Sequence, residues 1–295
     1  MTPTLFSVSY AGLWGQARLD LPGFLRKAGE LGYAAVELMG KRPHLSVVDT
    51  DDAALDAIRA AARESGVDIA TIAGYTDFTA GRTAPEVPSV EIQVAYVDAL
   101  ARLGKALGAR LVRVFTGYTT DPDAYAADWD KCVAAVRACA DAAAEHGLLL
   151  GVQNHHDVAV GVEAYREFLD EVNHPYCRAM FDPWSVALQG GDLYAAAKAL
   201  APRMAQTTLA DYVRLPRYEY VPGLVNYREM AAMVRAVPLG DGFIDFEAFF
   251  AGLKDGGFDG GVAYEMCSPL RGGGSMANLD ATARKSLEVI EKLIA

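Results

Sequence analysis

The fold is decided by the stretch His146-Gly147-Leu148-Leu149-Leu150-Gly151-Val152-Gln153-Asn154-His155-His156, in which a helix end, a glycine, an apolar run and a polar run follow one another. The glycine is typical of the residue after a helix, where a left-handed backbone is needed before the chain enters a strand. The leucines predict a buried strand, and the polar side chains after them predict that this strand ends at a cleft. Side chains alternate along a strand, so Gln153 and His155 are expected on one side and Asn154 and His156 on the other.

The same order of helix end, glycine and apolar run recurs along the chain. It is found at residues 31–37, 65–70, 107–114 and 256–265. Repetition of this kind is typical of stacked strand–helix units whose strands form a parallel sheet.

Eight strands are predicted, and amphipathic helices rich in alanine separate them. The strands are expected at residues 5–10, 34–38, 69–73, 111–116, 148–153, 178–182, 204–209 and 261–266. The helices are expected at residues 20–31, 51–65, 89–107, 125–146, 161–172, 192–200, 245–255 and 279–294. Eight such pairs predict an α/β protein with a (β/α)8 TIM-barrel fold, as a single domain over residues 1–295. A doubly wound sheet is the alternative, but no GxGxxG loop follows the first strand.

Composition and charge exclude some classes of partner. The chain has 295 residues, of which 52% are hydrophobic, and a formal net charge of −11. An acidic chain without clusters of Lys or Arg is a poor partner for nucleic acid, whose phosphates are bound by basic side chains. No apolar run is long enough to span a membrane, and the first residues lack the features of a signal peptide. The cysteines form no CxxC pair, so a reducing cytoplasm is the predicted location.

Three connections are longer than a strand–helix turn requires, namely residues 41–50, 76–89 and 211–242. The longest, residues 211–242, is predicted to be a loop after the seventh strand, and it is rich in tyrosine and arginine. In barrels the loops after strands build the active site, so this loop is a candidate lid over a sugar. The alternatives are a packed surface excursion and a contact between copies in a homo-oligomer.

Side chains that can bind ligands lie at the ends of the predicted strands. Such positions are occupied by Glu37, Arg113, Gln153, Asp182, Gln206, Thr208 and Glu265. Asp182 and Glu265 each interrupt an apolar run, and a buried carboxylate is costly unless it is paired or ligated. Oxygen-rich groups that meet at the mouth of a barrel suit a hard divalent cation such as Mg²⁺ or Mn²⁺.

The order and spacing of these residues resemble the xylose-isomerase-like TIM barrels, the sugar phosphate isomerase/epimerase superfamily. The resemblance covers essentially the whole chain. It rests on Gln153-Asn154-His155 after the fifth strand, Phe181-Asp182-Pro183-Trp184 after the sixth, Thr208 ahead of Asp211 in the seventh, and Val262-Ala263-Tyr264-Glu265 in the eighth.

The resemblance implies a divalent metal ion, Mn²⁺ or Mg²⁺, whose ligands would be Gln153, Asp182, Gln206, Thr208 and Glu265. Two positions depart from the family pattern. Gln153 stands where the family has a glutamate, and Thr208 fills the third ligand position, with Gln206 as a possible substitute. The alternative is a metal-free site in which Gln153 and Gln206 hydrogen-bond sugar hydroxyls.

In the epimerases of this superfamily, two glutamates on opposite faces of the sugar exchange a proton through an enediolate. Because Gln153 cannot accept a proton, Glu265 and His155 are the predicted catalytic pair. The predicted substrate contacts are Glu37, His44, Arg113, His156, Trp184 and Arg271. Open alternatives are a supporting hydrogen-bond role for a histidine, an ion pair between Glu37 and Arg113, and plain packing for Trp184.

The resemblance predicts an isomerase or epimerase that acts on a small carbohydrate by removing a proton next to a carbonyl polarised by the metal. The first alternative is a lyase of the same superfamily, either a dehydratase or a 3-oxo-glycoside deglycosidase, because one strong base with a separate acid suits elimination. The second alternative is a catalytically degenerate sugar-binding barrel. A DNA-repair endonuclease is the weakest hypothesis, because it needs further zinc ligands and a basic track for DNA.

Overall fold

Eight parallel strands close into a barrel in the computed structural model, which describes residues 1–82, 84–119 and 121–295. The barrel strands are β1 (Thr2–Phe6), β2 (Ala35–Met39), β3 (Asp68–Ala73), β4 (Leu111–Val114), β5 (Leu149–Gln153), β6 (Cys177–Met180) and β7 (Met204–Leu209). Two further strands, β8 (Asp211–Val221) and β9 (Asn226–Val237), form an antiparallel hairpin outside the barrel. Strand β10 (Gly261–Tyr264) then closes the barrel between β7 and β1. The predicted (β/α)8 architecture is confirmed.

The helices surround the barrel in the predicted order. They are α1 (Leu21–Leu31), α2 (Asp52–Ser65), α3 (Ser89–Leu107), α4 (Tyr125–Glu145), α5 (Val162–Val172), α6 (Pro183–Leu188), α7 (Leu193–Leu200), α8 (Phe246–Asp255) and α9 (Met276–Ile294). The predicted helix starts at Asp20 and Asp245 are confirmed, since each carboxylate caps its helix by accepting a backbone N–H. Gly32 follows α1 in the left-handed conformation, with φ of 94°, as the helix–glycine–strand pattern requires.

The first strand ends at Phe6, four residues earlier than predicted, and Ser7–Tyr10 form a 3-10 turn. The serines of this turn explain the early end. Ser7 Oγ accepts the backbone N–H of Met39 at 2.8 Å, and Ser9 Oγ accepts that of Met266 at 2.8 Å. The serine hydroxyls of this turn therefore satisfy backbone N–H groups at the end of β2 and just after the last barrel strand, and the chain does not continue the sheet.

The segment 211–242 is not the loop that was predicted, because most of it is the β8–β9 hairpin. The carboxylate of Asp211 fastens the base of the hairpin. It accepts backbone N–H groups from Tyr212, Gly240, Gly242 and Ile244. The outer part exposes large apolar side chains, namely Tyr218, Tyr220, Leu224, Val225, Tyr227 and Met233. The lid function of this segment stays a prediction.

The interior of the barrel is polar just below its mouth. Glu37, Thr71 and Gln206 are each at most 1% exposed, although apolar side chains surround the barrel on the outside. Buried polar groups are costly unless they are hydrogen-bonded, so this layer must form its own network. Within the described residues, no helix has the length and apolar character needed to cross a membrane.

Candidate active site

A cavity of about 460 Å³ opens at the carboxyl ends of the barrel strands. Its walls are largely aromatic, with Phe6, Trp14, Tyr75, Phe115, Tyr118, Trp184 and Tyr212. Its polar groups are Lys41, Arg113, Gln153, His155, His156, Glu265, Cys267 and Ser268. Active sites of TIM barrels lie at this face, so the cavity is the candidate active site.

Arg113, Gln153 and Asp182 form a hydrogen-bonded chain across the ends of β4, β5 and β6. Arg113 Nη1 donates to Gln153 Oε1 at 2.5 Å, and Gln153 Nε2 donates to Asp182 Oδ2. The other oxygen of Asp182 accepts the backbone N–H of Thr208 at 2.8 Å. Both oxygens of the Asp182 carboxylate are therefore held by N–H donors.

Asn154 fixes the backbone at the same place. Its Oδ1 accepts the N–H of Asp182 at 2.7 Å, and its Nδ2 donates to the carbonyl oxygen of Asp182 at 3.2 Å. The predicted alternation of side chains agrees with this arrangement only for Gln153, which lines the cavity, and Asn154, which does not. It fails beyond the strand, which ends at Gln153, because His155 and His156 both line the cavity. Asn154 positions Asp182 from behind the site.

Below the cavity, Glu37 is fully buried and bonded to Gln206. Gln206 Nε2 donates to Glu37 Oε2 at 2.6 Å, and Gln206 Oε1 accepts the hydroxyl of Thr71 at 2.6 Å. Burial raises the pKa of Glu37 to about 7, while the nearby charge of Arg113 opposes this rise. Two roles were predicted for Glu37, a contact with substrate and an ion pair with Arg113. The structure shows neither: the carboxylate of Glu37 is bonded to Gln206 and forms no direct ion pair with Arg113, and Glu37 does not line the cavity.

Glu265 is half-buried and lines the cavity at the end of β10. Burial raises its pKa to about 8, and the neighbouring carboxylate of Asp182 raises it further, while Arg113 lowers it. The thiol of Cys267 lies 3.4 Å from Glu265 Oε1 and 2.8 Å from the hydroxyl of Tyr212. A carboxyl group that exchanges its proton near neutral pH is thus placed beside an aromatic cavity.

His155 and His156 are neutral at pH 7 in this environment. Burial lowers the pKa of His155 to about 4 and that of His156 to about 3, and Arg113 lowers both further. The His156 ring stacks on Tyr118 with 4.0 Å between ring centroids. The Nδ1 atom of each histidine is buried without a hydrogen-bond partner, so each ring retains a polar atom for a ligand.

The structure brings most of the predicted site residues together, in two layers. Arg113, Gln153, His155, His156, Trp184 and Glu265 line the cavity. Glu37, Asp182, Gln206 and Thr208 are buried behind or below that lining. The upper layer can contact a ligand directly, whereas the lower layer acts on it through the side chains above.

Two residues predicted to contact substrate lie elsewhere. Both ring nitrogens of His44 are engaged, with Ser7 Oγ at 3.0 Å and the carbonyl oxygen of Leu19 at 3.1 Å. Its ring also stacks on Phe24, so His44 is part of the packing around α1. Arg271 is exposed, and its backbone N–H donates to Ala236. Neither residue lines the cavity, so we leave both out of the candidate site.

Lys41 and Tyr75 are among the cavity residues that were not foreseen from the sequence. Lys41 lies with its Nζ 3.6 Å from the ring centroid of Tyr75, and burial lowers the pKa of Lys41. Both residues come just after the ends of β2 and β3. Their position just after a barrel strand could have identified them, since the same position identified the site residues after β5 and β6.

The side chains present do not fit the divalent metal ion that the sequence resemblance implies. In the described part of the chain, no group of three or more His, Cys, Asp or Glu side chains lies close enough to hold a metal. The oxygen of Gln153 faces Arg113, and both oxygens of Asp182 face N–H groups. Both polar atoms of Gln206 are also engaged, so among the predicted ligands only the hydroxyl of Thr208 and the carboxylate of Glu265 keep a free oxygen, which is fewer than the six or more that a hard cation takes.

Comparison with known proteins agrees with the barrel described above. The model of the family described as xylose isomerase-like TIM barrel matches residues 25–293. No curated protein sequence matches the chain. The family match confirms the resemblance drawn from the sequence.

Solved structures share the fold over their whole length. A xylose isomerase domain protein of Alicyclobacillus acidocaldarius is 20% identical, with a TM-score of 0.73, covering 100% of this chain and 98% of that one. A D-psicose 3-epimerase of Clostridium cellulolyticum H10, solved with D-tagatose, is 15% identical, with a TM-score of 0.77 and coverage of 100% and 99%. The probable 3-DHS dehydratase AsbF of Bacillus anthracis is 15% identical, with a TM-score of 0.73 and coverage of 99% and 99%. At these identities the likeness shows the fold alone.

Proposed function

Because this chain belongs to the xylose isomerase-like TIM-barrel family, whose members are mostly enzymes, we propose that it removes a proton from the carbon next to a carbonyl group of a small carbohydrate. The observation that carries the proposal is the carboxyl group of Glu265, which lines the cavity with a pKa raised to about 8. A general base works best when its pKa lies near the working pH, and burial has brought that of Glu265 there.

The walls of the cavity support a carbohydrate substrate. Aromatic rings offer flat apolar faces to the C–H groups of a sugar, and the rings of Phe115 and Trp184, which line the cavity, have centroids 4.9 Å and 5.8 Å from that of His155. The volume of about 460 Å³ lies within the range for a site that holds one small molecule. A neutral, polyhydroxylated ligand matches a site with aromatic walls and hydrogen-bonding groups at its base.

An isomerase or epimerase remains the prediction that the sequence makes, and a ketose epimerase is among the proteins that share the fold. Both reactions begin with the same proton abstraction. Epimerisation also needs a second base on the opposite face of the carbon, and there the chain has Gln153, whose amide cannot accept the proton. The metal-assisted form of this mechanism stays a prediction, and none of the steps described here depends on a metal.

A lyase is the second candidate, and a specific observation favours it. Among the described residues that line the cavity, Glu265 is the one carboxylate, and the neutral ring of His155 lies in the same cavity. One base and one separate donor suit elimination, in which Glu265 takes the proton and passes it to the leaving oxygen as water departs, while the N–H of the neutral His155 ring donates a hydrogen bond to that oxygen. A probable dehydratase also shares the fold.

The hairpin β8–β9 supports the predicted lid. Tyr212 and Val234, at its base, line the cavity. The outer part lies in solvent with exposed tyrosines, which suits either closure over a ligand or contact with a second copy of the chain. Both uses stay predictions.

The experiment is proton exchange with solvent. A panel of ketoses and keto-glycosides is incubated with the protein in deuterated water and followed by NMR. We expect deuterium to enter the carbon next to the carbonyl, and Glu265→Gln to reduce this exchange by about a hundredfold or more. The control is Glu163→Gln, because Glu163 has 87% of its side chain exposed in a surface pair with Arg166.

The products decide between the candidates. An epimer or isomer with deuterium at that carbon indicates an isomerase, and loss of water or aglycone indicates a lyase. Tight binding of a sugar without exchange would favour the sugar-binding barrel. Full exchange in a folded Glu265→Gln variant would remove Glu265 from the mechanism.

A further inference from the structure

We infer that Arg113 is the resident cation of this site, and that its guanidinium, in place of a divalent metal, holds the oxygen that becomes negative when the substrate loses its proton. The family is commonly metal-dependent, so the inference marks a difference within it. It rests on the proposed proton abstraction. In that step the C–H bond breaks, the proton passes to Glu265, and the electron pair moves through the new C=C bond onto the carbonyl oxygen.

The direction of the hydrogen bonds fixes the orientation of the Gln153 amide. A guanidinium can only donate, so the group of Gln153 that faces Arg113 Nη1 must be its oxygen. The amide nitrogen of Gln153 must then face Asp182. A rotation of this amide would leave Arg113 facing an NH2 group, so the presence of Arg113 keeps the Gln153 oxygen away from a cation beside Asp182.

Arg113 also lies among the residues that the resemblance assigns to the metal. It is hydrogen-bonded to Gln153, which is hydrogen-bonded in turn to Asp182. It lines the same cavity as Glu265. A positively charged side chain of the protein is thus already present where the divalent ion was expected.

Arg113 has donors left for a ligand. It is 2% exposed and lines the cavity, and its Nε and Nη2 atoms are buried without a hydrogen-bond partner. Its guanidinium lies 4.0 Å from the ring centroid of Phe115 and 4.7 Å from that of Tyr75, which fixes its plane. Two unpartnered donor nitrogens on a fixed plane suit a forked contact to one or two oxygens of an enolate.

The first test concerns metal, and its binding measurement needs no turnover. Mn²⁺ is titrated into the protein after treatment with EDTA, and free Mn²⁺ is followed by electron paramagnetic resonance. We expect the wild-type protein to leave Mn²⁺ free, and its proton exchange to be the same with EDTA and with added Mn²⁺. Stoichiometric binding of Mn²⁺, or exchange that requires it, would overturn the inference.

The second test concerns Arg113 itself. Arg113→Lys keeps the positive charge but loses the planar pair of donor nitrogens. We expect kcat to fall by about a hundredfold to a thousandfold, with a smaller change in KM. Arg113→Ala should lose turnover and regain part of it with added methylguanidinium, but not with ethylammonium. A structural role alone would give no such rescue. The control is Arg110→Ala, since Arg110 is exposed just before β4 on the opposite end of the same strand.

A binding measurement separates this inference from the proposed function. Glycolohydroxamate, a planar mimic of an enediolate, is titrated by calorimetry in metal-free buffer into the Glu265→Gln variant, with and without Arg113→Ala. We expect Arg113→Ala to weaken binding by about tenfold or more. Suppose that Glu265 proves dispensable for proton exchange while Arg113→Ala still weakens the binding of glycolohydroxamate. The assignment of Glu265 as the general base then fails, and the role of Arg113 stands. Equal binding by the two variants would overturn the role of Arg113.

Discussion

Cys267 is the residue that contacts the base Glu265 most directly. Its thiol donates to Glu265 Oε1, and the hydroxyl of Tyr212 lies on its other side. A donor to the charged form of a carboxyl group lowers its pKa, so Cys267 opposes the larger effect of burial. The thiol itself is held protonated, because burial raises the pKa of Cys267 well above its usual value.

The pH dependence of turnover should report this contact. Glu265 acts as a base only when it is ionised, so kcat/KM should rise with pH and level off near its pKa of about 8. In Cys267→Ala the donor is lost, and the rising limb should move to higher pH while the plateau is kept. The control is Cys177→Ala, because Cys177 lies in β6 outside the cavity. An unchanged limb in Cys267→Ala would show that the thiol does not affect the base.

At this scale the sequence identified candidates but not their contacts. The position of Asp182 and Glu265 after apolar runs was enough to single them out, and both lie at the site. Which way the amide of Gln153 points depends on Arg113, forty positions away in the chain, and no local pattern contains that information. His44 was misplaced for the same reason, because its partners Ser7 and Leu19 are distant in sequence.

The hairpin β8–β9 depends on one carboxylate for its attachment to the barrel. Asp211 accepts the N–H groups of Gly240 and Gly242 with Oδ2, at 2.9 Å and 2.8 Å, and that of Tyr212 with Oδ1 at 2.9 Å. The outer two-stranded ribbon has no layer of the described chain packed over it. A two-stranded ribbon alone is marginally stable in water. The attachment at Asp211 therefore has to fix the position of Tyr212 in the cavity wall.

Asp211→Asn should therefore loosen the hairpin. Asparagine keeps one acceptor oxygen and places an NH2 group against N–H donors, so about 2–4 kcal/mol of stability should be lost. Amide hydrogen exchange should accelerate in β8 and β9 more than in the barrel. Asp241→Asn is the matched control, because Asp241 pairs with Lys285 on the surface and should cost less than about 1 kcal/mol. Equal effects of the two variants would contradict the role given to Asp211.

The elements of the barrel could be predicted because each repeats a local signal, a capped helix, a glycine and an apolar run. The hairpin could not, since its strands carry arginine, tyrosine and a proline, Pro216, in place of a clear alternation, and neither face of its outer part is buried. Helix α6 was also missed, because its six residues, Pro183–Leu188, are too few to show a helical period.

The whole molecule binds protons on folding at neutral pH. Burial raises the pKa of Glu37 and of Asp182 to about 7 and that of Glu265 to about 8, above their values in the unfolded chain. The stability that these groups contribute is present at low pH and is lost as pH rises through those values. The histidines act in the opposite sense, since His44, His155 and His156 have lowered pKa values and add stability as pH rises to about 6.5.

The two effects oppose each other below about pH 6.5, and above it only the carboxylates remain. We therefore expect the free energy of unfolding, measured in urea, to fall between about pH 6.5 and about pH 8.5. Glu265→Gln removes one of the titrating groups and should make this fall smaller. Glu163→Gln, on the surface, should leave it unchanged. Stability that rises over this interval would contradict the raised pKa values.

The chain Arg113–Gln153–Asp182 also restricts how this barrel can change by mutation. Replacing Gln153 by glutamate alone would give Arg113 an ion pair and would set a new carboxylate against Asp182. Replacing Arg113 alone would leave three buried carboxylates without their shared positive charge. Because Thr208 also departs from the family's ligand pattern, a metal site would need a change there as well as at both of these positions. Arg113 and Gln153 are hydrogen-bonded to each other, so substitutions at the two positions are expected to be strongly non-additive, and either one alone is expected to be less stable than both together.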